Sequence, residues 1–415
     1  MRPFNLGQTS IPTAIVRPET ANEVASIVKC AVLHDFKNGA ISVDLEHFQY
    51  AQVDASSPSY SVRVGGGTRL GQIDESLRVH QRAIPHGMCS GIGIGGHATV
   101  GGLGPLSRMW GTTLDNVEEI EAVTANGTLF RASNSENPDL FFAMRGAGSG
   151  FGIVTEFVMK THPAPPVVLH YSQNFSYSNL EKMAGVFHDW QAVAADPALD
   201  HRFSTEILLA PEAVRISSTW YGTEAELHQT GVLNRLPGGG SAALHRENWD
   251  RSLDLFITRE YLHSPNSAGK IHSKSLGFTR DDLLSKADVA AAFSELDKQR
   301  KTATAWSIKF QAVGGAISEV PAASTAFAHR DKVMLYQSYS ANASKAVKDL
   351  LDNFHRALLN SAPGASGTYP GFADPALRDA QRSYWGANLP ALEELKAVWD
   401  PENVFHNPQS VVSRG

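Results

Sequence analysis

The sequence predicts an α+β protein of two domains, and three observations carry that expectation. At 415 residues the chain exceeds what one hydrophobic core usually organises. Glycine is concentrated between Gly65 and Gly152, as happens where a folded backbone must turn sharply or approach something closely. Beyond the proline-rich break Pro163-Ala164-Pro165-Pro166 the texture changes, and from 167 to about 365 strands alternate with longer helices. A last segment begins near Tyr369.

Elements follow in order. Ile11 to Leu33 reads as an extended stretch and then a helix, with Thr20 and Glu23 as a capping-box pair ahead of the apolar stripe Val24, Ile27, Val28, Ala31, Val32. Cys30, in this helix, reads as a small buried hydrophobe. Ala40–Leu45 and Tyr60–Val64 are expected strands, and Gly65-Gly66-Gly67 breaks the second. Thr68 to Val79 suits a helix, weakened by Gly71, whereas Gly87 to Gly111 suits no regular element. Strands are expected again at Val117–Thr124, Leu129–Ala132 and Phe151–Met159, the first two joined by Ala125-Asn126-Gly127. Further on, helices are expected at Leu180–Ala194 and Asp288–Lys298. Pro390 opens another, with Leu392, Leu395, Val398 and Trp399 spaced for burial and Asp400-Pro401 ending it.

Composition narrows the function classes. A net charge of -6, from 36 basic and 42 acidic residues with no Lys/Arg cluster, argues against a nucleic-acid partner. No apolar run approaches membrane-spanning length, so no membrane partner is expected. Met1 to Pro12 has no apolar signal region; the chain as written reads as cytoplasmic, or as secreted if its true start lies upstream. The two cysteines, Cys30 and Cys89, form neither a disulfide framework nor a C-x-x-C pair, and no metal site is expected.

The most informative segment is Pro85-His-Gly-Met-Cys-Ser-Gly-Ile-Gly-Ile-Gly-Gly-His-Ala-Thr-Val-Gly-Gly-Leu-Gly104. Its glycines leave backbone N–H groups unobstructed, which suits a large, flat or anionic ligand wrapped by main chain. Gly91-x-Gly93-x-x-Gly96 satisfies the dinucleotide fingerprint, but that pattern must follow a strand and open a helix, and His97-Ala-Thr-Val-Gly-Gly makes a poor helix. Gly87-x-Cys89-x-Gly91 imitates a nucleophile elbow and lacks the same context. A second glycine-rich turn, Arg145-Gly-Ala-Gly-Ser-Gly-Phe-Gly-Ile-Val-Thr155, runs straight into a strand and taken alone reads equally as a bulged hairpin entry.

On these motifs the chain resembles the berberine-bridge-enzyme-like group of the vanillyl-alcohol-oxidase flavoproteins over nearly all of its length. The matching stretches are Val16-Arg-Pro-Glu-Thr20, His86 through Gly104 with Arg108 and Gly111-Thr-Thr-Leu-Asp115, Asn137 through Gly146, Phe151 through Thr155, Tyr384 through Pro390, and Trp399 through Ser410. Among branches, it looks most like fungal sugar oxidases and flavin oxidases of secondary metabolism. The resemblance implies a PCMH-type two-subdomain FAD-binding domain over 1–165. An α/β substrate domain with an antiparallel sheet would span 166–368, and a C-terminal segment over 369–415 would return to the FAD domain. It places Cys89 where the family forms a thioether to the isoalloxazine. Gly91, Gly93, Gly95, Gly96, His97 and Gly101 would line the cofactor with Asp115 nearby, and Gly152, Ile153 and Val154 would lie at the adenine end. A small-molecule substrate, dioxygen as acceptor and a monomeric state are the partners it implies.

Two departures accompany the resemblance. Family members carry a Gly-Gly-His loop that cradles the pyrophosphate between the first helix and the strand near Ile41–Leu45; here Leu33-His-Asp-Phe-Lys-Asn-Gly39 runs directly into that strand. The family's base is the second Tyr of Tyr-x-Asn-Tyr-x-Asp, and this chain has Tyr369-Pro-Gly-Phe372-Ala-Asp374. The carboxylate that supports that Tyr in sugar oxidases aligns with Gln311. Gln311 and Phe372 are thus substrate-side residues, Tyr369 is the one phenol the motif offers for the proton, and sugar oxidation is disfavoured. The expected function is FAD-linked oxidation of a small metabolite. A flavin-free cyclase or an inactive binding protein on the same scaffold is the alternative.

Overall fold

The computed structural model describes residues 5–7, 11–34, 40–56, 60–177, 179–241, 243–263, 269–301, 303 and 305–414, the side chains of 241 and 257–263 excepted. Its fold is α+β, built on two main sheets.

At the N-terminal end β1 (Ala14–Val16) and β2 (Ile41–Val43) pair in parallel, Ala14 opposite Ile41, around the helix Ala21–Leu33. Thr20 caps this helix by accepting the Glu23 N–H, but the Glu23 carboxylate turns to the N–H of Glu19, so only half of the expected capping box forms. The helix buries Val24, Ala25 and Val28 against Phe48 and Val123. Cys30 lies on the opposite side and is exposed, which corrects the expectation of a buried thiol. The expected run after Leu33 falls largely on 35–39, outside the described residues.

Five antiparallel strands make the first large sheet. They are β3 (Ala51–Asp54), β4 (Ser61–Gly65), β6 (Val117–Val123), β7 (Leu129–Ser133) and β8 (Ile153–Met159), in the order β3-β4-β8-β6-β7, with β5 (Arg82–Ala83) and β9 (His162–Pro163) as a short separate pair. Strand alternation divides the faces. Val62, Val64, Ile120, Phe157 and Met159 enter the core, while Arg63, Arg131, Glu119, Glu121 and Glu156 form an ion-pair network outside.

The second sheet has seven strands: β10 (Val168–Phe175), β11 (Phe203–Leu209), β12 (Val214–Tyr221), β13 (His245–Glu247), β14 (Ile271–Phe278), β15 (Ser307–Ala312) and β16 (Met334–Ala341). Their order is β13-β10-β12-β11-β15-β16-β14, antiparallel throughout. The helices Leu180–Ala194, Lys286–Gln299 and Lys345–Ser361 contribute Phe187, Trp190, Phe293 and Phe354 to the apolar core over one face, where they meet Ile207, Ile216, Phe310 and Tyr336 of the strands. The other face is largely polar and turns toward the glycine-rich loops, because Leu335 on that face packs with Tyr369, Val100 and Leu103.

The helices Ala380–Trp385 and Leu389–Trp399 place Tyr384, Trp385, Leu389 and Leu392 in the core of the five-stranded sheet. Val398 is exposed, contrary to its expected burial, and the residue taken inward is Lys396. The buried side runs along Leu389, Leu392 and Lys396, and the ammonium of Lys396 is accommodated because it donates to Gly150 O (2.6 Å), Phe405 O (2.8 Å) and Asp400 Oδ2 (2.6 Å). Asp400 in turn accepts the backbone N–H groups of Val404 and Phe405, which accounts for an aspartate at the head of this turn.

Candidate functional site

Three glycine-bearing segments meet where β4 ends and β8 begins. Thr68 to Gly71 lies along Ser90 to Ile94: Leu70 N–H donates to Ile92 O, Gly71 N–H to Ser90 O, and Ile94 N–H to Thr68 O. Arg69 adds a bond from its guanidinium to Gly91 O at 2.6 Å. A methyl on Gly95 would stand 2.6 Å from Gly66 O, and one on Gly66 would stand 2.1 Å from Val154 O. Segments 65–67, 91–96 and 152–154 are therefore in direct backbone contact, and glycine is what permits it. In sequence, Gly65-Gly66-Gly67 reads only as a strand break. Gly93 and Gly96 differ: a side chain there would meet nothing within 4 Å, and both are exposed. Cys89, at the start of this glycine-rich stretch, is half-buried, and Ile153 is half-buried against Val24, Phe48 and Val123. A methyl on Gly152 would press on Val123 O at 2.7 Å.

Contrary to expectation, Ile94–Val100 and Ser107–Trp110 are helical. Gly95 and Gly96 weaken the first helix intrinsically, but Ile94, Ala98 and Thr99 are buried and Thr99 donates its hydroxyl to Gly95 O, so tertiary packing wins over propensity. Gly91 to Gly93 therefore does open a helix; the dinucleotide fingerprint still fails, because loop and not strand precedes it.

Gly101 and Gly102 have φ of +147 and +84, values that only glycine adopts readily. They let the loop fold over Tyr369, whose hydroxyl accepts the Gly102 N–H at 2.7 Å. Tyr369 is buried, and burial pushes its phenol up to about 12 although the N–H groups of Gly102 and Leu103 pull the other way. Such a phenol is a poor base at neutral pH; what it does in this structure is hold the loop. Phe372 packs edge-on to it with ring centroids 5.0 Å apart.

Other sequence-derived residues divide between the glycine-rich stretch and the frame. His97 accepts the Gly87 N–H at Nε2 (3.0 Å), and burial followed by the nearby His86 charge lowers it to about 3, so it is neutral. Asp115 holds the frame: it caps its own turn through Thr112, and both its oxygens are gripped by Arg330. Gln311 lies on the polar face of the seven-stranded sheet, in a row across the strands formed by Ser172, Ser217, Glu206, Gln311 and Leu335. Glu206 is the direct cross-strand neighbour of Gln311, and no local motif announced it. Nor does any motif announce the pair Asp74–His86, His86 Nε2 to Asp74 Oδ1 2.8 Å, beside the Cys89 loop. A carboxylate four residues into a helix carries no signal of its own.

Comparison with known proteins decides the family. Residues 32–133 match the FAD binding domain family and residues 368–412 the family described as berberine and berberine like. The FAD-linked oxidoreductase sorD of Penicillium rubens is 32% identical over 99% of this chain and 92% of its own length. The chain belongs to the berberine-like family of FAD-linked oxidoreductases. The xylooligosaccharide oxidase of Myceliophthora thermophila, solved with xylobiose, superposes with a TM-score of 0.89 at 26% identity, covering 100% of this chain and 94% of that one. A glucooligosaccharide oxidase of Acremonium strictum, studied for the roles of its 6-S-cysteinyl, 8α-N1-histidyl FAD, gives 0.86 at 25% identity over 99% and 94%. The alignment to sorD spans 435 positions, more than the 415 residues here, so that relative carries residues this chain lacks.

This member of the family is an FAD-dependent oxidoreductase, and the described residues fit the cofactor at its ring end. Gly93 and Gly96 leave open space above the backbone, and Cys89, four residues before Gly93, is a free thiol of intermediate burial. The family's pyrophosphate loop would fall between the first helix and β2, a stretch that includes residues 35–39, outside the described residues.

Proposed function

We propose that the chain oxidises a small, activated metabolite, with dioxygen as electron acceptor, as a monomer whose flavin is anchored through Cys89. Bound FAD would supply the hydride-accepting chemistry. Cys89 would tether the ring, Gly93 and Gly96 would lie under it, and His97 would fix the loop beside it. The polar row Ser217, Glu206 and Gln311 would face the substrate. The observation that carries the choice of substrate is Phe372: it stands at the motif position of the family's phenolic base and offers no proton acceptor, so a substrate that ionises easily, such as a phenol, is favoured.

A second reading, carbohydrate oxidation, is supported by Glu206, which brings a carboxylate beside Gln311, and by the likeness to oligosaccharide oxidases. The cofactor arm is tested by acid precipitation and peptide mass spectrometry. Flavin mass on the Cys89 peptide is expected; yellow protein that releases all its flavin to the acid supernatant would refute the tether.

A further inference from the structure

Behind the Cys89 loop lies a hydrogen-bond arrangement that fixes a proton. His86 Nδ1 is 2.8 Å from Gly87 O, and a carbonyl can only accept, so Nδ1 carries hydrogen. His86 Nε2 is 2.8 Å from Asp74 Oδ1. With an oxygen acceptor at each ring nitrogen, the ring state that donates to both is the imidazolium. Burial opposes this charge, but Asp74 and the Gly87 carbonyl outweigh it, and the net displacement of His86 is upward. The side chains of His86 and Asp74 are 8% and 13% exposed, and Met88, Trp249, Leu253 and Phe256 share their cavity wall, so little solvent screens the pair. Gly87 is held on both sides, its carbonyl accepting from His86 and its N–H donating to His97, two residues ahead of Cys89.

We propose that Asp74 and His86 form a positioning site that keeps a protonated imidazole directed at the Cys89 loop and thereby makes Cys89 an acidic thiol. The pair is neutral overall, but its positive end donates into the loop while Asp74 lies behind, so the loop senses the cation first. A neighbouring cationic histidine favours the thiolate, the form of cysteine that acts as nucleophile. The other charged groups described on the two packed helices and at their entry are Arg69, bonded to Gly91 O, Arg78, which is paired with Asp250 of the facing helix, and Glu75, Arg251 and Asp254, all three exposed to solvent. His97 adds no charge, since its Nε2 is an acceptor.

This inference rests on the reading of Cys89 as the flavin tether, and its test separates the two. Full-length Cys30→Ser protein from riboflavin-limited cells is alkylated with iodoacetamide from pH 5 to 10, and modification of the flavin-free Cys89 peptide is followed by mass. The expected midpoint lies about one unit below the ~8.5 of an ordinary cysteine. His86→Gln should slow alkylation at pH 7 about tenfold, and Asp74→Glu should restore what Asp74→Asn loses. A parent midpoint at or above ~8.5, or an unchanged profile in folded His86→Gln, overturns the proposal. If His86→Gln does not fold, ¹⁵N spectra of the parent's histidine rings decide: both nitrogens of His86 protonated at pH 7 supports it, a neutral ring overturns it. An acidic thiol that never carries flavin mass would sink the tether alone.

Discussion

Arg330 donates through both terminal nitrogens to the two carboxylate oxygens of Asp115, at 2.7 and 2.8 Å, and neither side chain is more than 6% exposed. The pair ties the turn after the cofactor loop to the segment that leads into β16. Arg108 does the same in the opposite sense, donating to the carbonyls of Leu199, Phe203 and Val313. Removing one partner of a buried pair leaves the other uncompensated, at a cost of about 3–5 kcal/mol. Asp115→Asn and Arg330→Met should therefore each lower the urea midpoint sharply. The double variant should be less destabilised than the sum of the singles; additive losses would show that the pair is not coupled.

Lys396 is the second case. With Gly150 O, Phe405 O and Asp400 all satisfied by one ammonium, Lys396→Met should cost about 3–5 kcal/mol and free the C-terminal turn. Limited proteolysis after residue 400, faster than in the parent, is the expected readout. A stable and protease-resistant variant would mean that the turn is held by packing alone.

These two pairs mark where the sequence stopped being legible. Periodicity located most helices and strands, and the order of the motifs brought the right family into view. Cys30 and Val398 were misplaced because an apolar stripe fixes a helix's inner face only to within a residue, and docking sets the rest. The strand Ala51–Asp54 was missed because its alternation is short and only half-buried. The helix at Ile94 was missed because local glycine cost was weighed without the packing that offsets it. Glu206 and Asp74 gave no local signal, because only the fold brings Gln311 and His86 beside them; Lys396 has Asp400 four residues on, but its burial also depends on the carbonyls of Gly150 and Phe405, which only the fold supplies.

Acid should destabilise the protein through its histidines. Burial, the leading cause in each case, lowers His329, His355 and His162 to about 4 and His97 to about 3. In the unfolded chain these rings take up protons near ~6.5, so their contribution is full above that pH and is lost as pH falls toward 4. His86, raised, works the other way: its contribution is full below ~6.5 and is lost as pH rises through its folded value. With four rings against one, thermal unfolding should show Tm falling steadily between pH 6.5 and 4. His329→Gln should flatten that slope; an unchanged slope would remove His329 from the cause.

The substrate question turns on Phe372. A phenol at this position could become a base only if a neighbour tuned it, and general-base action is worth roughly 10²–10⁴ in rate. Phe372 has no ionisable group, and the adjacent phenol of Tyr369 is occupied by the Gly102 N–H and pushed up to about 12. Asp374 is no replacement, since its carboxylate is engaged by Lys274 at 2.8 Å. Glu206 remains, next to Gln311, as the one carboxylate of the transverse row. Peroxide release is therefore expected to be weak over a panel of oligosaccharides and stronger with phenolic or benzylic alcohols, using flavin-loaded protein. Phe372→Tyr should raise sugar turnover, and Glu206→Gln should abolish that gain. If the parent oxidises sugars well and Glu206→Gln alone destroys the activity, Glu206 is the base and the carbohydrate reading replaces ours.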